Sequence, residues 1–186
     1  QKINILINYA FLFYGDNEGL KNDIVKNIFE KNYQDNIYKY DEIEILNNRE
    51  QFIVGLFSKS FFDNKKLIII SRVTDKIKNI IEEIIEKRLT GVVIILLSGG
   101  LEKKSKIRQM FERSTNFSCV AFYPDNHQTL STIASNFFRE KKVSISTQII
   151  NILTDRAGGD RQNLQRELAK IEGLLGTRLK ITIEDI

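Results

Sequence analysis

Two unbroken apolar runs, Leu67–Ile70 and Val92–Leu97, constrain the fold of this chain more than any other feature. A strand with one face in water alternates apolar and polar residues, whereas these runs contain no polar position. Such runs are typical of strands in a parallel sheet that is covered on both faces. Five strands are predicted, over Ala10–Tyr14, Glu42–Leu46, Leu67–Ser71, Val92–Ser98 and Ser118–Phe122.

Helical periodicity fills the intervals between these strands, because apolar residues recur there at spacings of three and four. The predicted helices cover residues 18–32, residues 49–58, a segment from Ile77 to Ile85 capped by Thr74 or Asp75, and Lys103–Arg113. Alternation of strands and helices predicts an α/β fold with a doubly wound parallel sheet and helices on both faces.

The alternation stops at Pro124, the only proline, and three helices are predicted after it. Asn126 caps the first helix, the second covers Thr147–Ala157, and the third runs from Arg161 to Leu174, ahead of Gly176. We therefore predict an α/β domain over residues 1–124 and a small three-helix domain over residues 125–186. The segment Ile181–Ile186 stops where another helix could begin, so we expect the printed sequence to be part of a longer chain.

The composition of the chain limits the classes of protein to which it could belong. The chain has no run of about 18 apolar residues, so we expect neither a transmembrane helix nor a membrane partner. Cys119, the single cysteine, excludes an internal disulfide and suits a cytoplasmic protein, and its apolar neighbours favour a buried structural thiol. The net charge of +4 permits contact with nucleic acid without requiring it.

The segment from Gly15 to Asn22 has the outline of a phosphate-binding loop, since an apolar strand precedes it and a helix follows. In the motif G-x-x-x-x-G-K-[ST], the lysine reaches the phosphates and the hydroxyl holds magnesium. Gly15 and Lys21 match, but Leu20 replaces the second glycine and Asn22 replaces the hydroxyl residue. The sequence therefore predicts the layout of a nucleotide-binding domain without nucleotide hydrolysis.

A working ATPase also needs a carboxylate directly after a second apolar strand. The strand that ends at Ser71 is followed by Arg72, and the nearest carboxylate is Asp75. The single histidine, His127, lies at a predicted helix start, and no cysteine–histidine cluster has zinc spacing. We therefore predict no catalytic residue, no metal and no cofactor, and we keep an ATPase or another nucleotide-binding enzyme as an alternative.

The adjacent pair Phe61 and Phe62 follows the helix predicted over residues 49–58 and precedes a polar turn. Adjacent residues cannot both face the same core from a helix. Paired aromatic residues at a helix end make good anchors in a partner's pocket. Both side chains could equally cap the local core, and the sequence alone leaves the two interpretations open.

A basic cluster contains Lys103, Lys104 and Lys106 together with Arg108 and Arg113. Charge runs of this kind are usually solvated surface. A stripe that contacts DNA phosphates is the other interpretation, and it makes a DNA-binding module a second alternative function. Aromatic residues are not interleaved with the cluster, so binding of single strands by stacking is not expected.

The helix that opens at Gly158–Leu164 resembles the lid helix of AAA+ proteins, in which a basic residue approaches a neighbour's nucleotide. Arg161 and Arg166 are the candidates for that residue, although packing alone explains the helix equally well. Together with Phe11–Gly15, Ser60–Phe62 and Leu96–Gly100, this helix makes the whole chain resemble the delta subunit of the bacterial DNA polymerase III clamp loader.

The resemblance implies a RecA-like AAA+ domain and a helical lid, with the family's third domain, the collar, missing from the printed sequence. It also implies a protein that binds and opens the sliding clamp without ATP hydrolysis, through Phe61 and Phe62 beside Ser60. Many relatives carry Leu-Phe at this pair, so Phe61 departs from the commonest form.

The implied partners are the sliding clamp, the gamma, tau and delta prime subunits of the loader, and DNA, weakly or within the complex. In that setting the chain is a non-catalytic subunit of a DNA-directed DNA polymerase, a nucleotidyltransferase holoenzyme. The alternative DNA-binding module would work without a clamp.

Overall fold

The computed structural model describes residues 9–33, 36–58, 65–87, 91–175 and 181–183. The chain forms two compact units. The first holds the chain up to Asp16 together with Lys21–Phe122, and the second holds Asn17–Leu20 together with Tyr123–Ile186. Each unit has a hydrophobic core of its own. No helix within the described ranges is both long and apolar enough to cross a membrane.

A five-stranded parallel sheet forms the centre of the first unit, in the order β2–β3–β4–β1–β5. The strands are β1 (Ala10–Tyr14), β2 (Ile37–Asp41), β3 (Lys66–Ser71), β4 (Val92–Ser98) and β5 (Phe117–Ala121). The three inner strands β3, β4 and β1 are buried along almost their whole length. This burial is the physical reason for their unbroken apolar sequences, and the predicted parallel sheet is confirmed.

Helices cover both faces of this sheet. They are α1 (Glu18–Ile24), which continues as a π-helical turn (Val25–Phe29) and a 3₁₀ turn (Glu30–Asn32), then α2 (Glu42–Asn47), α3 (Arg49–Ser58), α4 (Lys78–Glu86) and α5 (Lys106–Arg113). Leu12 of β1 lies in a core cluster with residues of α2 to α5. Its neighbours Phe11 and Phe13 point the other way and pack on Phe29, with ring centroids 4.9 and 6.0 Å apart.

The strand predicted over Glu42–Leu46 is wrong, because this segment forms α2 and the strand β2 precedes it. Asp41 and Glu44 form a capping box at the helix start. The Asp41 side chain accepts a hydrogen bond from the Ile43 amide at 2.9 Å, and the Glu44 side chain accepts one from the Asp41 amide at 3.0 Å. Because the box satisfies amides that a helix leaves unpaired, it favours a helix over the strand that the isoleucines suggest.

The second unit contains the three predicted helices, α6 (His127–Glu140), α7 (Thr147–Ala157) and α8 (Arg161–Leu175). Asn126 caps α6 as predicted, through its side-chain oxygen and the Thr129 amide at 2.8 Å. Gly158 ends α7 in the left-handed conformation, at φ +59°. The helix end predicted at Gly176 lies outside the described residues.

Candidate functional site

Gly15 follows β1 at the carboxyl edge of the sheet, where ligands of parallel α/β folds bind. Its φ is +118°, and a Cβ at this position would lie 2.2 Å from the carbonyl oxygen of Phe122. Its amide donates to the carbonyl of Gly99 at 2.9 Å. Gly15 is therefore required by the backbone conformation and by the close approach of a neighbouring segment.

Lys21, the predicted phosphate-binding lysine, is turned into the first unit and is fully buried. Its Nζ donates to the carbonyl of Gly15 at 2.8 Å and to the carbonyl of Ser98 at 2.6 Å. Two of the three hydrogens of the ammonium are thus committed to main-chain oxygens. The neighbouring Asn22 is exposed and offers no hydroxyl to magnesium, so these residues do not fit a magnesium–nucleotide complex.

Asp75, the carboxylate nearest to the end of β3, has a structural role. Its Oδ1 accepts hydrogen bonds from the Ser105 hydroxyl at 2.7 Å and from the Ile107 amide at 2.9 Å, at the start of α5. Desolvation alone would raise the pKa of this carboxyl, but the hydrogen bonds outweigh it and hold the pKa below its ordinary value. Within the described part of the chain, no group of three or more histidine, cysteine and acidic side chains is arranged to hold a metal ion.

A second ionic group lies in the second unit, around Asp125. Arg161 binds this carboxylate with two hydrogen bonds, Nε to Oδ2 at 3.0 Å and Nη2 to Oδ1 at 2.8 Å. Asn17 donates to the same Oδ2 at 3.0 Å. The Asp125 side chain is 6% exposed and that of Arg161 is 17% exposed, so this pair is shielded from water.

Arg161 was predicted from the sequence as a site residue, whereas Asp125 and Asn17 were not. They are 108 positions apart, and Asn17 stands at an unspecified position of the phosphate-loop motif, so only the fold brings them together. Arg166 is exposed, and its Nη1 lies 3.5 Å from the side-chain oxygen of Asn163. That either arginine approaches a neighbour's nucleotide stays a prediction.

The three predicted DNA-contacting lysines are all exposed, at the turn before α5 and at its first residue. Lys104 forms an ion pair with Glu102 at 2.8 Å, and both side chains are mostly in water. Arg108 of the same cluster is bonded within the first unit, to Glu112 and to the carbonyl of Leu101, and it lies over the ring of Tyr14. Lys103, Lys104, Lys106 and Arg113 are therefore the exposed members of the cluster, and contact of the three lysines with DNA stays a prediction.

The predicted clamp-binding residues Ser60, Phe61 and Phe62 lie outside the described residues, between the end of α3 and the start of β3. Their role stays a prediction. Cys119 of β5, predicted as a buried structural thiol, is half-buried and packs against the main core cluster. Burial raises the pKa of its thiol to about 12, which makes it a poor nucleophile at neutral pH.

No family model and no curated protein sequence matches this chain. Solved structures do match it. The Bacillus subtilis DNA clamp loader delta protein (YqeN) is 16% identical, and the match covers 96% of this chain and 57% of that protein, with a TM-score of 0.53. The Thermotoga maritima RuvB Holliday junction branch migration motor is 12% identical, and the match covers 96% of this chain and 60% of RuvB, with a TM-score of 0.64.

The fold is that of the AAA+ proteins. Domain III of the T. maritima replication initiation protein DnaA also matches, with 13% identity, a TM-score of 0.52, and coverage of 96% of this chain and 81% of that domain. The predicted RecA-like AAA+ fold is thus confirmed, and the predicted likeness to a clamp loader delta protein is found among the matching structures. This chain spans less than two thirds of the delta protein and of RuvB.

Proposed function

We propose that this chain is a clamp loader delta subunit, which binds and opens a DNA sliding clamp without hydrolysing ATP. The inward-turned Lys21 is the observation that carries the proposal. An AAA+ fold whose loop lysine bonds to its own main chain has lost the cation that would neutralise a triphosphate. A protein of this kind contributes to a replication machine by binding, and neighbouring subunits supply the hydrolysis.

Similarity of fold does not separate a loader subunit from a motor, since RuvB has the higher TM-score. The chemistry of the loop separates them. A motor needs a lysine at the phosphates, a hydroxyl for magnesium and a carboxylate at the end of a second strand. Here Lys21 is buried, Asn22 has no hydroxyl, and Asp75 caps α5, so each requirement of a motor is unmet.

The proposed clamp contact is the pair Phe61 and Phe62, beside Ser60, in the segment that follows α3. Phe52 and Leu56 bury α3 in the core of the first unit, so this segment leaves a well-anchored helix. An aromatic side chain at the centre of an interface contributes on the order of 2 kcal/mol or more. If the pair binds an opened clamp more tightly than a closed one, the ring equilibrium shifts toward the open form.

The decisive experiment is the substitution Phe62→Ala, with affinity for an immobilised bacterial sliding clamp measured by surface plasmon resonance. We expect a loss of at least about 30-fold in affinity, which corresponds to about 2 kcal/mol, with an unchanged circular dichroism spectrum. Tyr123→Ala is the matched control, since Tyr123 is an aromatic residue that is 75% exposed elsewhere in the chain. Wild-type affinity of the Phe62→Ala variant would refute the proposed contact.

A titration with Mg-ATP tests the rival function of an ATPase. We expect neither saturable binding at millimolar nucleotide nor turnover by the isolated chain, because Lys21 is already bonded to two carbonyls. In the loader, the gamma and tau subunits would hydrolyse ATP, and delta prime would complete the assembly. Tight binding and turnover by this chain alone would favour the enzyme over the loader subunit.

A further inference from the structure

We infer that the carboxylate of Asp125 is an internal anion that takes the place of a bound phosphate, holding Asn17 and Arg161 without nucleotide. All three residues belong to the second unit, in which Asn17–Leu20 is the only part contributed by the N-terminal loop. The inference concerns nucleotide independence and does not depend on whether the chain binds a clamp.

The geometry of Arg161 is that of an anion receptor. A guanidinium binds a carboxylate or a phosphate through the same two parallel hydrogen bonds. Arg161 makes such a pair with Asp125, at 3.0 and 2.8 Å, from the first residue of the 15-residue helix α8. The start of a helix also favours negative charge, because its first amides and its dipole point toward the ligand. The anion found there is part of the chain itself.

Asn17 uses its whole amide group in the same network. Its Nδ2 donates to Oδ2 of Asp125 at 3.0 Å and to the carbonyl of Tyr123 at 2.9 Å. Its Oδ1 accepts from the Leu20 amide at 3.0 Å, at the beginning of α1. The side chain is buried, with 2% exposure. The side-chain amide of Asn17 is therefore held by groups of the protein itself. In a phosphate-binding loop, the bound phosphate would be the partner instead.

Gly19 packs tightly against the start of α8, beside the Asp125 network. An added Cβ at Gly19 would lie 2.8 Å from the backbone nitrogen of Gln162 and 3.3 Å from Cβ of Arg161. Gly19 and the first two residues of α8 are therefore in direct contact within the second unit. A phosphate group cannot enter between Gly19 and Gln162 unless these residues move apart, so the packing and the ion pair exclude the same ligand.

The charge state of Asp125 supports the same conclusion. Burial alone would raise the pKa of this carboxyl, but hydrogen bonds from Arg161 and Asn17 and the charge of Arg161 hold the pKa below its ordinary value. The carboxylate is therefore ionised at neutral pH. Because the folded pKa is lowered, the stabilisation is present above the unfolded pKa of about 4 and is lost as pH falls through the folded pKa.

Asp125→Ala in the whole chain tests the inference by urea unfolding at pH 7. We expect the unfolding equilibrium constant to rise about a hundredfold, because the substitution removes the carboxylate that accepts two hydrogen bonds from a mostly buried guanidinium. Sodium formate should reverse at least part of this rise, relative to sodium chloride at the same ionic strength, because formate supplies the missing carboxylate. Asp155→Ala is the matched control, since the Asp155 side chain is 74% exposed.

Two outcomes overturn the inference. One is an Asp125→Ala variant as stable as the Asp155→Ala control, and the other is a destabilised variant that formate does not stabilise more than chloride. If Asp125→Ala does not fold, Asp125→Asn decides by its pH profile. The difference in unfolding constant between wild type and Asp125→Asn should shrink as pH falls from about 7 to 3, and a constant difference excludes a role for the charge.

Discussion

Burial leaves the thiol of Cys119 protonated at neutral pH. Desolvation in β5 is the main cause, and the charge of Glu112 raises the pKa further while Arg108 lowers it, to a value of about 12. Only the thiolate attacks disulfide reagents, so reactivity increases as pH rises toward that value. The reactivity of Cys119 is thus set by its burial in β5 and not only by its being a cysteine.

We expect Cys119 to react with a disulfide reagent such as dithionitrobenzoate at least about a hundredfold more slowly than a free cysteine at pH 7. The same reaction in concentrated urea is the control, since unfolding removes the burial that raises the pKa. A native rate equal to the rate in urea would show that the thiol is freely accessible, in conflict with its half-buried position in β5.

The direction of a side chain was harder to predict than its position. The sequence placed Lys21 correctly in the phosphate-loop motif, but the motif implies a ligand outside the chain, whereas the structure directs Nζ to Gly15 and Ser98. Likewise, Arg161 was selected as a lid residue, yet its partner Asp125 was not. Contacts between residues far apart in the sequence depend on the fold, and the spacing of residues along the chain does not show which of them meet.

Secondary-structure elements were predictable where a single signal dominates. The inner strands of the sheet were found because burial on both faces removes polar residues from them. The helices α6 to α8 were found from their caps and periodicity. The segment at Glu42–Leu46 failed because its alternating isoleucines favour a strand, whereas the capping box of Asp41 and Glu44 favours a helix.

Asp75 connects two elements of the first unit, and its substitution tests that role. Asp75→Ala removes the acceptor for Ser105 and for the Ile107 amide, so we expect a loss of about 1–3 kcal/mol in the free energy of unfolding. The variant should bind Mg-ATP no more weakly than wild type, because neither is expected to bind it.

Equilibrium unfolding in urea measures the stability change of the Asp75→Ala variant, and Glu86→Ala provides an exposed acidic control at the end of α4. If Asp75→Ala leaves stability unchanged and instead alters nucleotide binding, Asp75 acts at a magnesium site. The assignment of Asp75 as a structural cap would then be incorrect.

At the scale of the whole molecule, the charge distribution bears on the predicted contact with DNA. The net charge is only +4, and part of the basic cluster before and within α5 is neutralised internally, as at Arg108. Lys103, Lys104 and Lys106 are exposed, and each phosphate contact they make would release about one counterion. From this balance of charge we expect DNA binding to be weak and salt-dependent.

We expect the isolated chain to bind duplex DNA with an affinity of the non-specific class, about 10⁻⁴–10⁻⁶ M at physiological salt. Replacing Lys103, Lys104 and Lys106 with glutamine should weaken binding and lower the magnitude of the slope of log K against log salt by up to about 3. Fluorescence anisotropy over a salt series measures both quantities. The control replaces the exposed Lys26 and Lys31 instead, and an equal effect for each lysine replaced would exclude a specific role for the cluster.

The two oxygens that accept from Lys21 belong to peptide groups, and this has a consequence for redesign. Any residue at position 98 would present the same carbonyl, and the backbone at position 15 requires glycine, so no exchange of side chains at these two positions is expected to release the lysine. The substitutions Leu20→Gly and Asn22→Thr would restore the sequence of the motif. They would leave Nζ of Lys21 buried and bonded to the two carbonyls. To gain nucleotide affinity, a redesign would have to change the backbone conformation of the turn after β1, because backbone carbonyls hold the lysine.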